Sequence, residues 1–286
     1  MKVAVSGANG FIGRHVVAAL ERHGAEPVLW VRPRARGGDV ASRHAVVAVD
    51  VLDPPPRVFD ALGRPDALVH LAWGGLPNYG SAHHLEVELP GHARTLTALV
   101  EQGLSNLVVA GTCFEYGMQS GALAESAQAT PTNAYGIAKD RLRLALQAVR
   151  RAHPFHLTWA RLFYLHGDGQ SPGALLSQLG RAVAAGDARF PMSGGEQLRD
   201  YLPVEEAADD LVRLALADRD HGIVNVCSGQ PISVRALVER WLAEHGRSIA
   251  LDLGRYPNPA HEPMAFWGDD AKLRRCLDAR PETVER

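Results

Sequence analysis

The sequence predicts an α/β protein built on a doubly wound parallel sheet, with a smaller α+β part towards its C-terminus. Short β-branched runs alternate with segments of helical periodicity through residues 1–165. Four or more such units in a row are typical of a parallel sheet with helices on both faces. Beyond residue 165 this alternation gives way to longer polar loops between helices, which predicts a second, differently built part.

The composition indicates a globular enzyme-sized protein. The chain has 286 residues, of which 46% are hydrophobic and 22% charged, so one large domain or two closely joined ones are expected. A net charge of -2 gives no indication of nucleic acid or an anionic membrane as partner. Three scattered cysteines are too few for a disulfide framework or a zinc site. With no signal peptide and no apolar run of about 18 residues, we expect a cytoplasmic protein with no bound metal.

A glycine-rich turn follows the first predicted strand, Lys2–Ser6, and precedes a segment of helical periodicity. The first glycine allows a tight turn, the second a close approach of backbone to a diphosphate, and the third close packing of helix on strand, as in Rossmann-type dinucleotide-binding folds. The N–H groups at the start of the helix then face an anion. The alternative is a glycine-rich turn without a ligand. The cofactor-binding residues predicted here are Gly7, Asn9, Gly10, Phe11, Ile12 and Gly13.

The second predicted strand, Glu26–Val31, is followed by arginines at positions 32, 34 and 36. At this place in dinucleotide-binding folds an acidic residue binds the ribose 2′-hydroxyl, whereas an arginine accommodates a 2′-phosphate. We therefore predict that Arg32 and Arg34 bind NADP(H), with NAD as the alternative. A second interpretation is a solvated basic loop, since runs of charge are often only exposed surface.

Two more strands are predicted at 45–49 and 67–71. Asp50 and Val51 follow the first of them and are expected to flank an adenine ring. Leu71 and Ala72 end the second, and small residues after it would let the nicotinamide-side ribose lie close. His70, within the same apolar run, is interpreted as a structural histidine.

A long helix is predicted over 82–102, with Pro90 near a kink or a helix start. Next comes the apolar run 107–110, followed by a turn at Gly111 and by Thr112, and then a helix over 134–151 that carries Tyr135 and Lys139. These two residues are four positions apart, so they share one helix face. A phenol has a reference pKa of about 10, and a nearby positive charge favours its phenolate. The pair, with the Thr112 hydroxyl, is therefore a candidate proton-transfer site.

The remaining elements define the expected domains. A strand at 155–162 completes the first series, and helices are predicted at 174–185, 203–217 and 270–277, with a strand at 223–226 and a helix that Ser233 caps. We predict a cofactor domain at 1–165, to which 203–227 returns. A substrate domain is expected to comprise 166–202 and 228–286.

Taken together, these residues resemble the extended short-chain dehydrogenases/reductases, in the subgroup of nucleotide-sugar epimerases, dehydratases and reductases. The resemblance covers nearly the whole chain. It is carried by GANGFIG from Gly7, the set Thr112, Tyr135 and Lys139, RDY from Arg199, VNVCSG from Val224 and KLRR from Lys272.

The resemblance implies roles for particular residues. Tyr135 would be the general acid/base, Lys139 would tune it and hold the nicotinamide ribose, and Thr112 would bond the reacting oxygen. Arg199 would contact the diphosphate of a nucleotide sugar, and Arg161 falls at an arginine common in the family. The substrate-binding residues expected on this basis are Thr112, Cys113, Phe114, Tyr164 and Arg199. Helices 82–102 and 134–151 would pair across a homodimer.

Departures from the family pattern reduce the number of reaction types that we expect. Dehydratases of this family have Asp-Glu after the threonine, where this chain has Cys113 and Phe114. An asparagine common in the long helix is Glu88 here. Epimerases usually have an acid after the second strand, where Arg32 stands. The leading hypothesis is therefore reduction of the 4-keto group of a nucleotide-linked 4-keto-6-deoxyhexose by NADPH.

Two alternatives remain open. One is an epimerase, acting at C4 with bound NAD, or a combined epimerase/reductase in which Cys113 and His166 serve as acid and base. The other is a non-catalytic NADP-binding regulator.

Overall fold

The computed structural model describes residues 1–33, 43–258 and 262–278. Its centre is a seven-stranded parallel sheet, and the predicted doubly wound α/β fold is confirmed. In spatial order the strands are β3 (Ala45–Ala48), β2 (Glu26–Val31), β1 (Lys2–Ser6), β4 (Ala67–His70), β5 (Asn106–Thr112), β7 (His156–Leu162) and β11 (Gly222–Val226). All neighbouring strands run parallel. The order reverses between β1 and β4, and ligands of such sheets bind beside this point, outside the carboxyl ends of the strands.

Helices cover both faces of the sheet because its strands are apolar on both sides. The α-helices are α1 (Phe11–Arg22), α2 (Val58–Ala61), α3 (Leu89–Glu101), α4 (Ala134–Ala152), α5 (Leu175–Ala185), α6 (Val204–Leu216), α7 (Val234–Glu244) and α8 (Ala271–Asp278). One core joins α1, α6 and α8 to one face of the sheet. A second core joins α2, α3 and α4 to the other face.

Over the ranges that the structure describes, three smaller sheets accompany the large sheet. They comprise β6 (Gly121–Leu123), β8 (Tyr164–His166), β9 (Arg189–Pro191), β10 (Leu198–Pro203), β12 (Pro231–Ser233), β13 (Ala250–Asp252) and β14 (Phe266–Gly268). These strands were not predicted from the sequence. They are short, and their pairing partners lie far away in the chain, for example β6 with β14. The division into a cofactor domain and a substrate domain stays a prediction.

The start of the long helix differs from the prediction. Residues His84–Glu88 form a π-helical turn that continues into α3. Pro90 lies in the first turn of α3, where its missing N–H needs no partner. π-Helical turns are rare and often occur at functional sites, and this one ends at the cleft described below. In the part of the chain that the structure describes, no helix is long and apolar enough to cross a membrane.

Candidate active site

The glycine turn between β1 and α1 has the conformation that the sequence predicts. Gly7 has φ +72°, a value that glycine adopts without strain, and Gly10 donates a hydrogen bond to its carbonyl oxygen at 2.9 Å. A Cβ added to Gly13 would lie 2.1 Å from that same oxygen, so only glycine fits there. No side chain caps the N-terminus of α1, which leaves the start of a helix turned to the cleft.

A cleft of about 360 Å³ opens beside this turn. One end is formed by residues after β2 and β3, and the other by residues after β4 and by Glu88. The predicted cofactor-binding residues that line it are Gly7, Asn9, Gly10, Phe11, Ile12, Gly13, Arg32, Asp50, Val51, Leu71 and Ala72. Arg34 lies outside the described residues. A glycine cradle at the centre of a cleft that extends to both sides fits a dinucleotide.

Thr112, Tyr135 and Lys139 converge beside one end of this cleft. Thr112 is the last residue of β5, and Tyr135 and Lys139 lie in the first two turns of α4. The Thr112 hydroxyl lies close enough to the Tyr135 phenol to favour its phenolate form. Lys139 Nζ donates a hydrogen bond to the carbonyl oxygen of Ala110 at 2.9 Å. The structure thus brings together the three residues that the sequence selected, although their chemical roles stay a prediction.

The electrostatics of Tyr135 correct one expectation. We expected Lys139 to favour the phenolate, but the pKa of Tyr135 is raised, mainly because burial disfavours the charged phenolate. Burial also lowers the pKa of Lys139 to about 7, while Glu115 and Glu88 oppose this effect. A phenol that keeps its proton at neutral pH can act as a proton donor.

Trp73 is the main residue of the candidate active site that was not predicted from the sequence. Its side chain lines the cleft, and Lys139 Nζ lies 3.9 Å from its ring centroid. Its ring also meets that of Tyr135 edge-on at 6.0 Å. Trp73 therefore links the cleft to the Tyr135 and Lys139 pair. One feature of the sequence could have indicated this role. Trp73 lies two residues beyond the predicted strand, among the small residues that were predicted to contact the ribose.

Glu115 fixes the turn that carries Thr112. Its carboxylate accepts a hydrogen bond from the main-chain N–H of Thr112 at 2.9 Å, while Thr112 Oγ1 accepts one from Phe114 N at 3.3 Å. Glu115 also accepts hydrogen bonds from Trp159 Nε1 at 2.9 Å and from Arg161 Nε at 2.7 Å. Arg161, whose role was open, therefore pairs with Glu115 inside the core, where both side chains are at most 1% exposed.

Histidines 70, 83 and 92 join Glu88 in a second polar cluster. His70 is buried, bonded to Ser6 on one side and to His92 on the other, so its interpretation as a structural histidine is confirmed. Glu88 accepts hydrogen bonds from Gly74 N at 2.7 Å and from His92 Nε2 at 3.0 Å. Among the described residues, no group of three or more His, Cys, Asp or Glu is arranged to hold a metal ion.

The predicted substrate side contains aromatic rings and one buried arginine. The Arg199 guanidinium lies 4.7 Å from the ring centroid of Phe266 and 5.9 Å from that of Tyr164. Glu262 accepts hydrogen bonds from Arg199 Nη2 at 2.9 Å and Nε at 3.2 Å. An internal carboxylate thus holds the guanidinium that the resemblance assigns to a diphosphate.

Aromatic rings also surround Tyr135. Tyr79 lies with its ring centroid 4.7 Å from that of Phe114 and 5.7 Å from that of Tyr135. Its carbonyl oxygen accepts a hydrogen bond from the main-chain N–H of Tyr135. The space near the phenol is therefore bordered by apolar ring faces.

Cys113 and His166 do not form the acid–base pair that one alternative requires. Cys113 packs in an apolar cluster with Tyr116 and Phe163, and burial raises the pKa of its thiol. His166 lines a separate cavity beside Trp241. A thiol without a base beside it, in an apolar surrounding, is a packing group.

Residues 3–227 match the model of the NAD dependent epimerase/dehydratase family. The chain belongs to this family and is an NAD(P)-dependent enzyme. It is similar to the dTDP-6-deoxy-L-talose 4-dehydrogenase (NAD(+)) of Aggregatibacter actinomycetemcomitans, with 30% identity over 271 residues, 94% of this chain and 99% of that protein. It is also 26% identical over 307 residues to the GDP-6-deoxy-D-mannose reductase of Pseudomonas aeruginosa, covering 98% of this chain and 92% of that protein.

Solved structures resemble the fold over almost the full chain. MoeE5 in complex with UDP-glucuronic acid and NAD superposes with a TM-score of 0.83 at 25% identity, covering 99% of this chain and 94% of that one. The UDP-glucose-4-epimerase from Stenotrophomonas maltophila, with bound NAD and formylated UDP-arabinopyranose, gives a TM-score of 0.84 at 20% identity, covering 98% and 93%. The latter similarity concerns the fold alone.

Proposed function

We propose that this protein reduces the 4-keto group of a nucleoside-diphosphate-4-keto-6-deoxyhexose with NADPH. The observation that carries the proposal is the convergence of Thr112, Tyr135 and Lys139 beside the cleft. Directly after Thr112, the family's dehydratases have an acid pair. This chain has a buried thiol, Cys113, and an apolar ring, Phe114, at those two positions. One proton donor and one hydride source suffice for a ketone reduction, whereas an elimination needs further acid–base groups.

Each residue then has a defined task. A dinucleotide held at the glycine turn of Gly7, Gly10 and Gly13 would supply hydride-transfer chemistry at C4. The Tyr135 phenol gives its proton to the carbonyl oxygen, which becomes a hydroxyl, and Thr112 holds that oxygen in place. Lys139 binds the nicotinamide ribose. Arg199 binds the diphosphate after exchanging its Glu262 partner, so that remote binding energy orients the keto carbon.

The similar proteins support the substrate class. A 4-dehydrogenase reaction run in reverse is a reduction at C4, and the similar dehydrogenase and reductase both act on nucleotide-linked 6-deoxyhexoses by their names. The rings of Tyr79 and Phe114 give a surface suited to a methyl group at C6. The preference for NADPH rests on Arg32, which lines the adenine end of the cleft. NAD(P)(+) stands in the name of a similar 4-dehydrogenase from Kitasatospora kifunensis, 31% identical over 272 residues.

The test is NADPH oxidation against a panel of nucleotide-linked 4-keto-6-deoxyhexoses, with the product alcohol identified by NMR. Tyr135→Phe should abolish turnover and leave NADPH binding intact. Turnover that survives this change would overturn the assigned proton donor. Interconversion of C4 epimers without net cofactor oxidation would instead identify an epimerase.

Cofactor preference has its own test. Arg32→Ala should weaken NADPH binding more than NADH binding, because only NADPH has the 2′-phosphate. Arg247→Ala, an exposed arginine after α7, is the matched control and should leave both unchanged. An equal loss for both cofactors would contradict the assignment of NADPH.

The oligomeric state and the domain roles remain part of the proposal. We expect a homodimer through the segments 82–102 and 134–151, and a sugar-binding role for 166–202 and 228–286. Light scattering and the placement of a bound nucleotide in a crystal structure would test these two points.

A further inference from the structure

Buried side chains form a directed chain of hydrogen bonds from the end of β1. Ser6 Oγ accepts hydrogen bonds from the main-chain N–H groups of Leu71 and Ala72 at 3.1 and 3.2 Å. Its own hydrogen therefore goes to His70 Nδ1, 2.8 Å away. His70 must then carry its ring proton on Nε2, which lies 2.9 Å from His92 Nδ1.

The direction of this chain fixes the charge at its far end. His92 accepts at Nδ1, so it donates from Nε2 to Glu88 Oε2 at 3.0 Å. The same oxygen accepts from Gly74 N, and Glu88 Oε1 lies 2.9 Å from His83 Nε2. Each buried ring donates once and accepts once, so both are neutral, and the only formal charge of the chain is the Glu88 carboxylate. Burial alone would raise the pKa of Glu88, but the bonds from His92, Gly74 and His83 outweigh it and lower this pKa to about 2.

The Lys139 ammonium belongs to the same buried cluster. Lys139 is 2% exposed, and its Nζ lies over the ring of Trp73. The His92 ring stacks on this indole as well, with centroids 4.7 Å apart and planes at 10°. A buried ammonium is costly unless a negative charge lies near it.

Two carboxylates act on this ammonium, Glu115 and Glu88. Glu115 is already paired with Arg161 at 2.7 Å, so its charge is largely offset. Glu88 contacts neutral His92 and the half-exposed His83. The titratable groups that face the ammonium are Glu88, Glu115, Tyr135, His70 and His92.

We propose that Glu88 is the counter-ion that keeps Lys139 protonated, and that it is therefore a positioning residue for cofactor binding. This inference rests on the proposed role of Lys139 in holding the nicotinamide ribose. Burial lowers the pKa of Lys139 to about 7, so the loss of one negative charge decides whether the lysine is charged at neutral pH. An asparagine at this position, as the resemblance leads one to expect, would carry no such charge.

Glu88→Gln tests the counter-ion role directly, because it removes the negative charge of the side chain and keeps its shape. The amide oxygen can accept from Gly74 and His92, and the amide NH₂ can donate to His83, so all hydrogen bonds of the cluster persist. NADPH affinity is measured by fluorescence titration from pH 5.5 to 9. In the wild-type protein affinity should fall as pH rises through about 7, because Lys139 loses its proton.

In Glu88→Gln the same fall should occur about one pH unit lower, with affinity unchanged at pH 5.5. At pH values above this shifted fall, the variant should bind NADPH up to about tenfold more weakly than the wild type. His83→Gln, which keeps the carboxylate and its contact, is the matched control and should leave the profile in place. A loss in Glu88→Gln that is equal at every pH, or no displacement at all, would overturn the proposal.

Lys139→Met separates the two levels of the argument, and neither measurement involves a sugar. If Lys139→Met removes the pH dependence while Glu88→Gln leaves it unmoved, only the role of Glu88 fails. If Lys139→Met binds NADPH with the wild-type profile, the function proposed for Lys139 fails, and the role of Glu88 fails with it.

Discussion

Replacing Glu115 with alanine should destabilise the fold strongly. The carboxylate accepts hydrogen bonds from three buried donors, namely Thr112 N, Trp159 Nε1 and Arg161 Nε. Its removal leaves all three without an acceptor and leaves a guanidinium that is 1% exposed without its counter-charge.

The size of the effect follows from the burial of the pair. Removing one partner of a buried ion pair costs about 3–5 kcal/mol, because the other charge stays buried and unpaired. At about 2–4 °C of melting temperature per kcal/mol, the cost of about 3–5 kcal/mol means that Glu115→Ala should melt about 6–20 °C below the wild type. Glu239→Ala is the matched control, since its pair with Arg235 is half-exposed. Such i,i+4 pairs contribute only about 0.3–0.5 kcal/mol.

The assay is thermal and urea unfolding of both variants, followed by circular dichroism. A double variant with methionine at positions 115 and 161 should lose less stability than the sum of the two single changes, because no charge is then left unpaired. A melting temperature of Glu115→Ala within about 2 °C of Glu239→Ala would refute the assignment of a tightly coupled buried pair.

Three further predictions follow from single sites. Gly13→Ala should cost about 1–3 kcal/mol in stability and abolish cofactor binding, because its Cβ would lie 2.1 Å from Gly7 O. The control is Gly173→Ala, whose added Cβ would meet only one atom, at 3.8 Å. It should change neither the stability measured by calorimetry nor the cofactor binding measured by fluorescence. Glu262→Gln should raise the affinity for a nucleoside diphosphate roughly tenfold, since about 1–2 kcal/mol of ion pairing no longer competes; unchanged affinity by titration calorimetry would show that the diphosphate does not use Arg199. Burial raises the pKa of Asp210 to about 7. Between about pH 4 and pH 7, the folded state therefore binds a proton that the unfolded state lacks. The free energy of unfolding contributed by this site falls as pH rises through that window. Asp210→Asn should therefore raise the melting temperature at pH 8, with a gain that vanishes near pH 4; a gain independent of pH would contradict this.

The elements of the large sheet could be predicted because local patterns specify them. The glycine turn, the strand Glu26–Val31 and the helix over 134–151 each carry their own signal in periodicity or capping. Asn133, for example, accepts a hydrogen bond from Gly136 N at the start of α4. The short strands had no such signal, because three residues such as Gly121–Leu123 gain their structure only from a distant partner strand.

The same limit applies to the candidate site. Tyr135 and Lys139 could be selected from their spacing, and Thr112 from the end of its strand. The partners of these residues could not. Glu88 was noted only as a departure from a family pattern, and its bonds to Gly74 and His92 depend on a π-helical turn. The direction of the Tyr135 pKa was wrong because a sequence does not report how deeply a phenol is buried.

The order of the strands has a consequence for how the chain can be cut. β11 lies at the edge of the large sheet beside β7, yet residues 163–221 separate the two in the chain. A truncated protein that stops at residue 165 would present β7 as a bare edge and would uncover the apolar face that α6 protects, both of which promote aggregation. On the ribosome, likewise, the half of the chain that ends at residue 165 cannot close its core until residues near Val226 have emerged. Any attempt to express that half alone should therefore graft 204–226 back onto it.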